Sequence, residues 1–213
     1  MRALFASAAT IALLSAPAFA QSLDDVGAGE YKLDPNHAFL TFTVVHNGIS
    51  DYIVNFEKFD ATLDFNPESP AESTIDVTID PTALDANYPG DYKAGHPDSG
   101  FETWDEALSR SDNFLNADAF DSIRFVSDSA EVSGETTGTV SGNLTFLGVT
   151  RPVTMDVTYN GVTNYPWNNG RDTIGFTATT TLSRSAFGQD SLAGAISDEV
   201  RIEFSGEFLQ SAQ

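Results

Sequence analysis

The sequence predicts an all-β fold: one antiparallel barrel or sandwich of about eight strands, with one short helical insertion. Three observations predict it. From residue 31 onward, apolar residues recur with period two, the mark of half-buried strands. Turn residues part these runs at short intervals, as in barrels and sandwiches. A single long segment, residues 84–119, lacks the alternation.

The chain opens on a leader. Arg2 supplies a short positive start, residues 3–16 are apolar, and Ala18-Phe19-Ala20 is a small-x-small cleavage site. That layout is a secretory signal peptide over residues 1–20, cut after Ala20. The apolar run is too short for a comfortable membrane span and lacks a charged stop beyond it. The expected mature domain is residues 21–213, exported to the periplasm. No cysteine follows the cleavage site, which excludes a lipoprotein anchor and any disulfide.

The strands then follow in order. Leu40, Phe42 and Val44 share one face of a strand, with Phe39, Thr41, Thr43 and Val45 on the other. Val54 and Phe56 alternate with Ile53, Asn55 and Glu57, and Phe59, Ala61, Leu63 and Phe65 with Asp60, Thr62 and Asp64. Asn66-Pro67-Glu68-Ser69-Pro70 is a turn, and Ile75, Val77 and Ile79 form a strand that Pro81 stops. In residues 84–119, Thr103 followed by Glu106 three residues later is a capping box opening a short helix. A long structured insertion in a barrel serves as a lid or plug. Ile123 and Phe125 begin the next strand, followed by Val140, Leu144 and Phe146. Residues 147–152 form a hairpin connection to Val153, Met155, Val157 and Tyr159. Ile174, Phe176, Ala178 and Leu182 alternate with threonines, and Val200, Ile202, Phe204 and Phe208 close the series.

Charge and motifs exclude several functions. A formal net charge of −21 repels nucleic acid and anionic membrane surfaces, and no later segment is long and apolar enough to span a bilayer. Three histidines without ligand-pair spacing, and no cysteine, argue against a metal site. There is no Gly-x-Ser-x-Gly elbow and no phosphate-binding glycine loop. Asp85-x-Asn87 with Gly90 fails as a calcium loop, because Pro89 occupies a ligand position and no Glu closes it. Sixteen Phe against two Met and two Trp make the interior aromatic. An eight-strand barrel is filled by side chains or holds one small ligand, and periodicity does not choose between them.

Six segments carry a resemblance: Tyr31-Lys32-Leu33-Asp34-Pro35-Asn36-His37, Phe42-Thr43-Val44-Val45-His46-Asn47-Gly48, Phe59-Asp60-Ala61-Thr62-Leu63, Arg110-Ser111-Asp112-Asn113-Phe114, the run from Gly142 through Gly148-Val149-Thr150-Arg151-Pro152 to Thr154, and Arg184-Ser185-Ala186-Phe187-Gly188. In this order they resemble the YceI-like family of lipid- and polyisoprenoid-binding proteins. The chain departs from the family pattern at Asn47, at Ala61, in the longer segment with Trp104, and over Ala107-Leu108-Ser109-Arg110-Ser111, which stands for the family's His-Leu-Arg-Ser without its His. The resemblance implies a single eight-stranded antiparallel lipocalin-like β-barrel around an elongated apolar cavity. It implies a periplasmic binding or carrier protein, not an enzyme, for a long-chain isoprenoid lipid, either a polyprenyl phosphate or an isoprenoid quinone, with no other cofactor. The alternatives are a structural or stress-related interaction protein with a filled barrel, and an enzyme acting on such a lipid. The assembly is a monomer or a homodimer.

On this reading, Phe42, Phe56, Phe114, Phe125, Trp104, Trp167 and Phe187 are the candidate tail-lining residues, against ordinary core packing. Trp104 sits in the insertion that could close the tube, and Trp167 is equally a loop anchor. His37 and His46 match family positions and could bond a quinone or phosphate head, against a role as satisfied strand-end histidines. Arg110 and Arg184 suit bidentate phosphate contact or a structural salt bridge.

Overall fold

The computed structural model describes residues 22–212. The expected signal peptide and its cleavage site lie outside the described residues.

The described residues form ten strands: β1 (Gly29–His46), β2 (Ser50–Phe56), β3 (Phe59–Phe65), β4 (Thr74–Ile79), β5 (Leu84–Asp85), β6 (Ile123–Val132), β7 (Thr137–Phe146), β8 (Val149–Asn164), β9 (Asp172–Ser183) and β10 (Ile196–Gln210). All pair antiparallel. Eight close a ring in the order β1, β3, β4, β6, β7, β8, β9, β10 and back to β1. The predicted all-β, eight-stranded barrel is therefore what the chain forms. β2 and β3 share one edge of β1: β2 pairs with residues 40–46 and β3 with residues 29–32. The register of β1 against β10 shifts between Leu33 and Ala38. Such an irregularity bends a long strand, which a closed barrel requires.

Two sequence expectations need correction. The connection expected over residues 147–152 is only Leu147-Gly148, because Val149 already pairs with Phe146. Leu147 (φ 49°) and Gly148 (φ 72°) both take the left-handed conformation that a two-residue hairpin turn demands. Pro152 is thus inside β8. It is tolerated because β9 joins β8 only from Asp156 onward, so the proline stands where β8 has one neighbour. The helical insertion is also richer than expected. It holds α1 (Tyr92–Gly95) as well as α2 (Trp104–Arg110). Thr103 Oγ1 accepts from the Glu106 N–H at 3.1 Å, and the Glu106 carboxylate accepts from the Glu102 N–H at 2.8 Å. The capping exchange is displaced by one residue from the usual box, where the cap's own N–H is the second donor.

Strand directions give the barrel two ends. The insertion, the β1–β2 turn and the β9–β10 connection share one, here the insertion end. The β6–β7 turn and both described termini share the other, the floor end. Near the floor, Tyr31, Leu33, Phe65, Ile174 and Phe208 pack into a buried cluster. At the insertion end a second cluster joins Leu84, Ala86 and Leu108 to Leu40, Val54, Phe56, Ile79 and Ile123. The insertion is thus bound to the barrel by apolar burial.

Candidate functional site

Between the two clusters the inward rows behave unlike a core. On β8, Val153, Met155 and Val157 alternate with exposed neighbours, yet all three are only half-buried. On β10, Val200, Ile202 and Phe204 are half-buried, whereas Gly206 and Phe208 further along are buried. In a filled barrel the inward row would be buried throughout, since interiors pack to crystal-like density. Here these side chains border open space: a cavity of about 940 Å³ runs from Trp104 and Leu108 to the β6–β7 turn. The interior is hollow, and the filled-barrel alternative does not describe it.

The cavity wall gathers Phe42, His46, Phe56, Trp104, Phe114, Phe125, Arg184 and Phe187 from among the residues singled out in the sequence. Phe42 and Phe56 face each other across β1 and β2, with ring centroids 5.5 Å apart. Phe187 packs on Phe146 at 5.8 Å. Phe125 is held by its neighbour Gly142: a Cβ there would meet the Phe125 ring at 2.7 Å and run into the Val126 carbonyl. His46 is exposed at the strand end and contacts the Asn47 amide.

Three of the predicted residues are not on this wall. Trp167 is 74% exposed and stacks on Tyr165 at 4.6 Å, so it anchors its own loop. Arg110 points outward to Asp118 at 2.5 Å, the ion-pair alternative. His37 sits on the outer edge of β1 with its Nδ1 2.9 Å from Asp34. That contact raises the imidazole pKa and lowers that of Asp34, where His37 and the Asn36 N–H outweigh the opposing effect of burial. Asp34, His37 and Glu207 lie close enough to share a cation, but on the outside of the barrel.

Arg184 lines the cavity without being free to serve a ligand. It is buried, and every guanidinium nitrogen is engaged. Nε donates to the Ser197 carbonyl at 2.8 Å and NH2 to the Ile196 carbonyl at 3.1 Å. NH1 donates to the Ser191 carbonyl at 2.8 Å, the Gln189 carbonyl at 3.2 Å and the Gln189 side chain. Neither expectation for it, phosphate contact or salt bridge, is what the geometry shows. Its task is to bind the β9–β10 connection together, and Gln189 in turn donates to the Asn113 carbonyl at 2.5 Å, which ties that connection to the insertion.

Several wall residues escaped the sequence reading. Tyr52, Tyr88 and Tyr159 all line the cavity. The alternation carried a signal for Tyr159, which shares a row with Val157, but gave it no special role. Burial, then the Asp105 charge and Tyr88, push the Tyr52 phenol up to about 12. Burial, then Asp172 and Asp25, push Tyr159 up to about 12. Both therefore stay protonated at neutral pH. Tyr52 OH, Tyr159 OH and Trp104 Nε1 are buried and have no hydrogen-bond partner.

A family model described as the YceI-like domain matches residues 31–208. A UPF0312 protein of Pseudomonas putida is 33% identical over 182 residues, covering 84% of this chain and 86% of the relative. Among solved structures, Burkholderia cenocepacia BcnA superimposes with a TM-score of 0.66 at 21% identity, over 84% of this chain and 99% of its own. A polyisoprenoid binding domain from Saccharophagus degradans superimposes with a TM-score of 0.58 at 11% identity, over 87% of this chain and 100% of its own. At these identities the two structures share the fold with this chain.

Proposed function

Because the chain belongs to the YceI-like domain family, we propose that it binds a long-chain isoprenoid lipid lengthwise in the barrel. The observation that carries this reading is the half-buried inward row around about 940 Å³ of open space. That volume is at the upper end of small-molecule sites. At roughly 30 Å³ per small group it holds on the order of thirty carbons. Each buried methylene gains about 0.8 kcal/mol, so the gross gain is on the order of 20 kcal/mol, near the ceiling of non-covalent affinity before chain ordering is deducted. Such a ligand needs a dry tube more than it needs specific groups. The polyisoprenoid binding domain of Saccharophagus degradans, which shares the fold, supports the same ligand class.

Binding, as opposed to catalysis, is favoured by the wall chemistry. Among the described residues the one imidazole–carboxylate ion pair, His37 with Asp34, lies off the wall. A periplasmic carrier role is part of the proposal and rests on the leader pattern of residues 1–20. In the mature protein from its own host, the first residue is then Gln21.

The test is lipid extraction from the purified protein followed by mass spectrometry. The expected result is about one long-chain isoprenoid per chain. An empty protein that also refuses added isoprenoid lipids rules the reading out.

A further inference from the structure

We propose that the outer wall of the barrel carries a binding site for a zinc-class divalent metal, made by Asp34, His37 and Glu207 where β1 pairs with β10. The site is separate from the bore and does not depend on what the bore holds.

The strand register builds the site. Leu33 faces Phe208 and Ala38 faces Gly206, so the four residues from Asp34 to His37 stand against Glu207 alone. Extra residues in one strand of a pair bend it and re-aim its side chains. Here they bring Asp34 and His37 to the same point as Glu207: one ligand atom from each of the three lies within 4.8 Å of the other two. Asp34 Oδ1 accepts from the Asn36 N–H at 2.9 Å and from Asn36 Nδ2 at 3.2 Å, and its Oδ2 is turned to His37 Nδ1 at 2.9 Å. On its other side Glu207 faces Gly175 of β9, which adds no side chain to crowd it. Ligand spacing along the chain hides this arrangement, because Glu207 arrives from a distant strand.

The protein does not balance the charge it gathers there. Glu207 is half-buried, and among the described residues no hydrogen bond or ion pair engages its carboxylate. Asp34 has His37 as its one ion-pair partner among the described residues. A divalent ion neutralises both carboxylates at once and is the largest local charge in such a site. The donor set selects the class of ion. Imidazole suits zinc, copper and nickel, whereas magnesium and calcium take six or more oxygens, more than two carboxylates supply. Zinc accepts three protein ligands of this kind and leaves its fourth position to water. Its bonds of about 2.0–2.2 Å set neighbouring donors about 3.4 Å apart, so the cluster closes by about 1.4 Å at most. The His37 side chain is 63% exposed and has the freedom to make that adjustment.

The experiment titrates the tag-free chain, first stripped with a chelator, with zinc chloride in a calorimeter. Roughly physiological ionic strength damps the general pull of an acidic surface. The wild type is expected to bind one zinc ion per chain saturably, and calcium and magnesium at least tenfold more weakly. Glu207→Gln and His37→Ala are each expected to weaken zinc at least tenfold, and Glu203→Gln, on the same outward row of β10, to leave it within twofold. A second readout needs no variant. The chain has three histidines, and zinc is expected to shift the ring resonances of His37 while those of His46 and His96 stay in place. No saturable zinc binding by the wild type overturns the proposal, as does calcium or magnesium bound as tightly as zinc. Unchanged zinc affinity in either the Glu207 or the His37 variant overturns it too, and so do zinc shifts at His46 or His96 with His37 unmoved.

Discussion

Phe204 and Phe208 stand on one inward row of β10 with ring centroids 6.0 Å apart, yet they belong to different environments. Phe208 is 1% exposed inside the floor cluster with Tyr31 and Ile174 and closes the cavity at that end, while Phe204 is half-buried further along the wall. One turn of the side-chain alternation separates packed floor from open bore. The floor is completed by polar bonds, with Tyr31 OH donating to the Gly27 carbonyl at 2.6 Å and the Gly27 N–H to Asp172 at 2.6 Å. This contrast sets unequal costs for truncating the two rings. Phe208→Ala is expected to cost about 3–5 kcal/mol of unfolding free energy, the range for a packed aromatic. Phe204→Ala is expected to cost about half of that or less, since part of its surface already faces open space. Urea unfolding of the lipid-free protein measures both. Equal losses mean that the bore is packed.

Filling the bore is the complementary change. Ala178 lines the cavity on β9, opposite Val157 on β8 and Phe204 on β10. Ala178→Trp in a solid core would cost about 1–3 kcal/mol through overpacking. Here the expected stability change is under about 1 kcal/mol, with lipid uptake down at least tenfold. Retained uptake in a folded Ala178→Trp protein contradicts the placement of the tail.

Arg184 is expected to behave as a brace. Arg184→Lys keeps the charge but cannot reach three directions at once, and the carbonyls of Ile196 and Ser197 lose their donors. A loss of about 2–3 kcal/mol is expected, with hydrogen exchange accelerating first in residues 184–197. Full stability in the lysine variant means that the cage is dispensable.

Trp167, Arg110 and His37 supply the controls, because none of them lines the cavity. Trp167→Phe, Arg110→Ala and His37→Ala are each expected to change lipid affinity less than twofold. Trp167→Phe also leaves Trp104 as the sole tryptophan, so its fluorescence reads lipid entry directly. A tenfold loss in any of the three would relocate the site.

Acid sensitivity has one identifiable source at Asp80. The Lys58 ammonium at 2.8 Å, then the Thr82 hydroxyl, hold its carboxyl down to about 2. An unfolded Asp titrates near 3.9. Because the folded value is the lower one, the stabilisation is complete above about pH 4 and fades as pH falls through about 2. Lys58 is largely exposed, so the pair is worth about 1 kcal/mol at most after screening. Asp80→Asn is expected to lower stability by about that amount at pH 7 and by progressively less as pH falls through about 2. A cost that is the same at both pH values assigns the effect to the turn alone.

The strands and the capped helix were legible in residue order because each rests on local rules. Val153, Met155 and Val157 alternate with polar residues whether or not anything lies opposite them, and Thr103 caps its helix from three residues away. The wall residues Phe42, Phe56, Phe125 and Phe187 were likewise visible, the first three by periodicity, and Phe42 and Phe187 also within the motifs of the resemblance. Trp167, Arg110 and His37 shared residue type or motif with wall residues, but residue order does not say which side of the barrel a side chain faces.

Alternation and turn chemistry by themselves determined that this chain is an antiparallel all-β domain, since a period of two and short polar turns admit little else. Whether the inward row would meet itself or enclose space was settled only in three dimensions. The ring circumference is fixed by eight strands and their stagger, and the half-buried row of Val200, Ile202 and Phe204 does not fill the space it encloses. The fate of single polar groups was settled there too: Arg184 is spent on five oxygens, whereas Tyr52 and Trp104 are left with donors to spare. Hydrogen-bond satisfaction depends on which distant backbone arrives beside a side chain, and that is a property of the closed barrel.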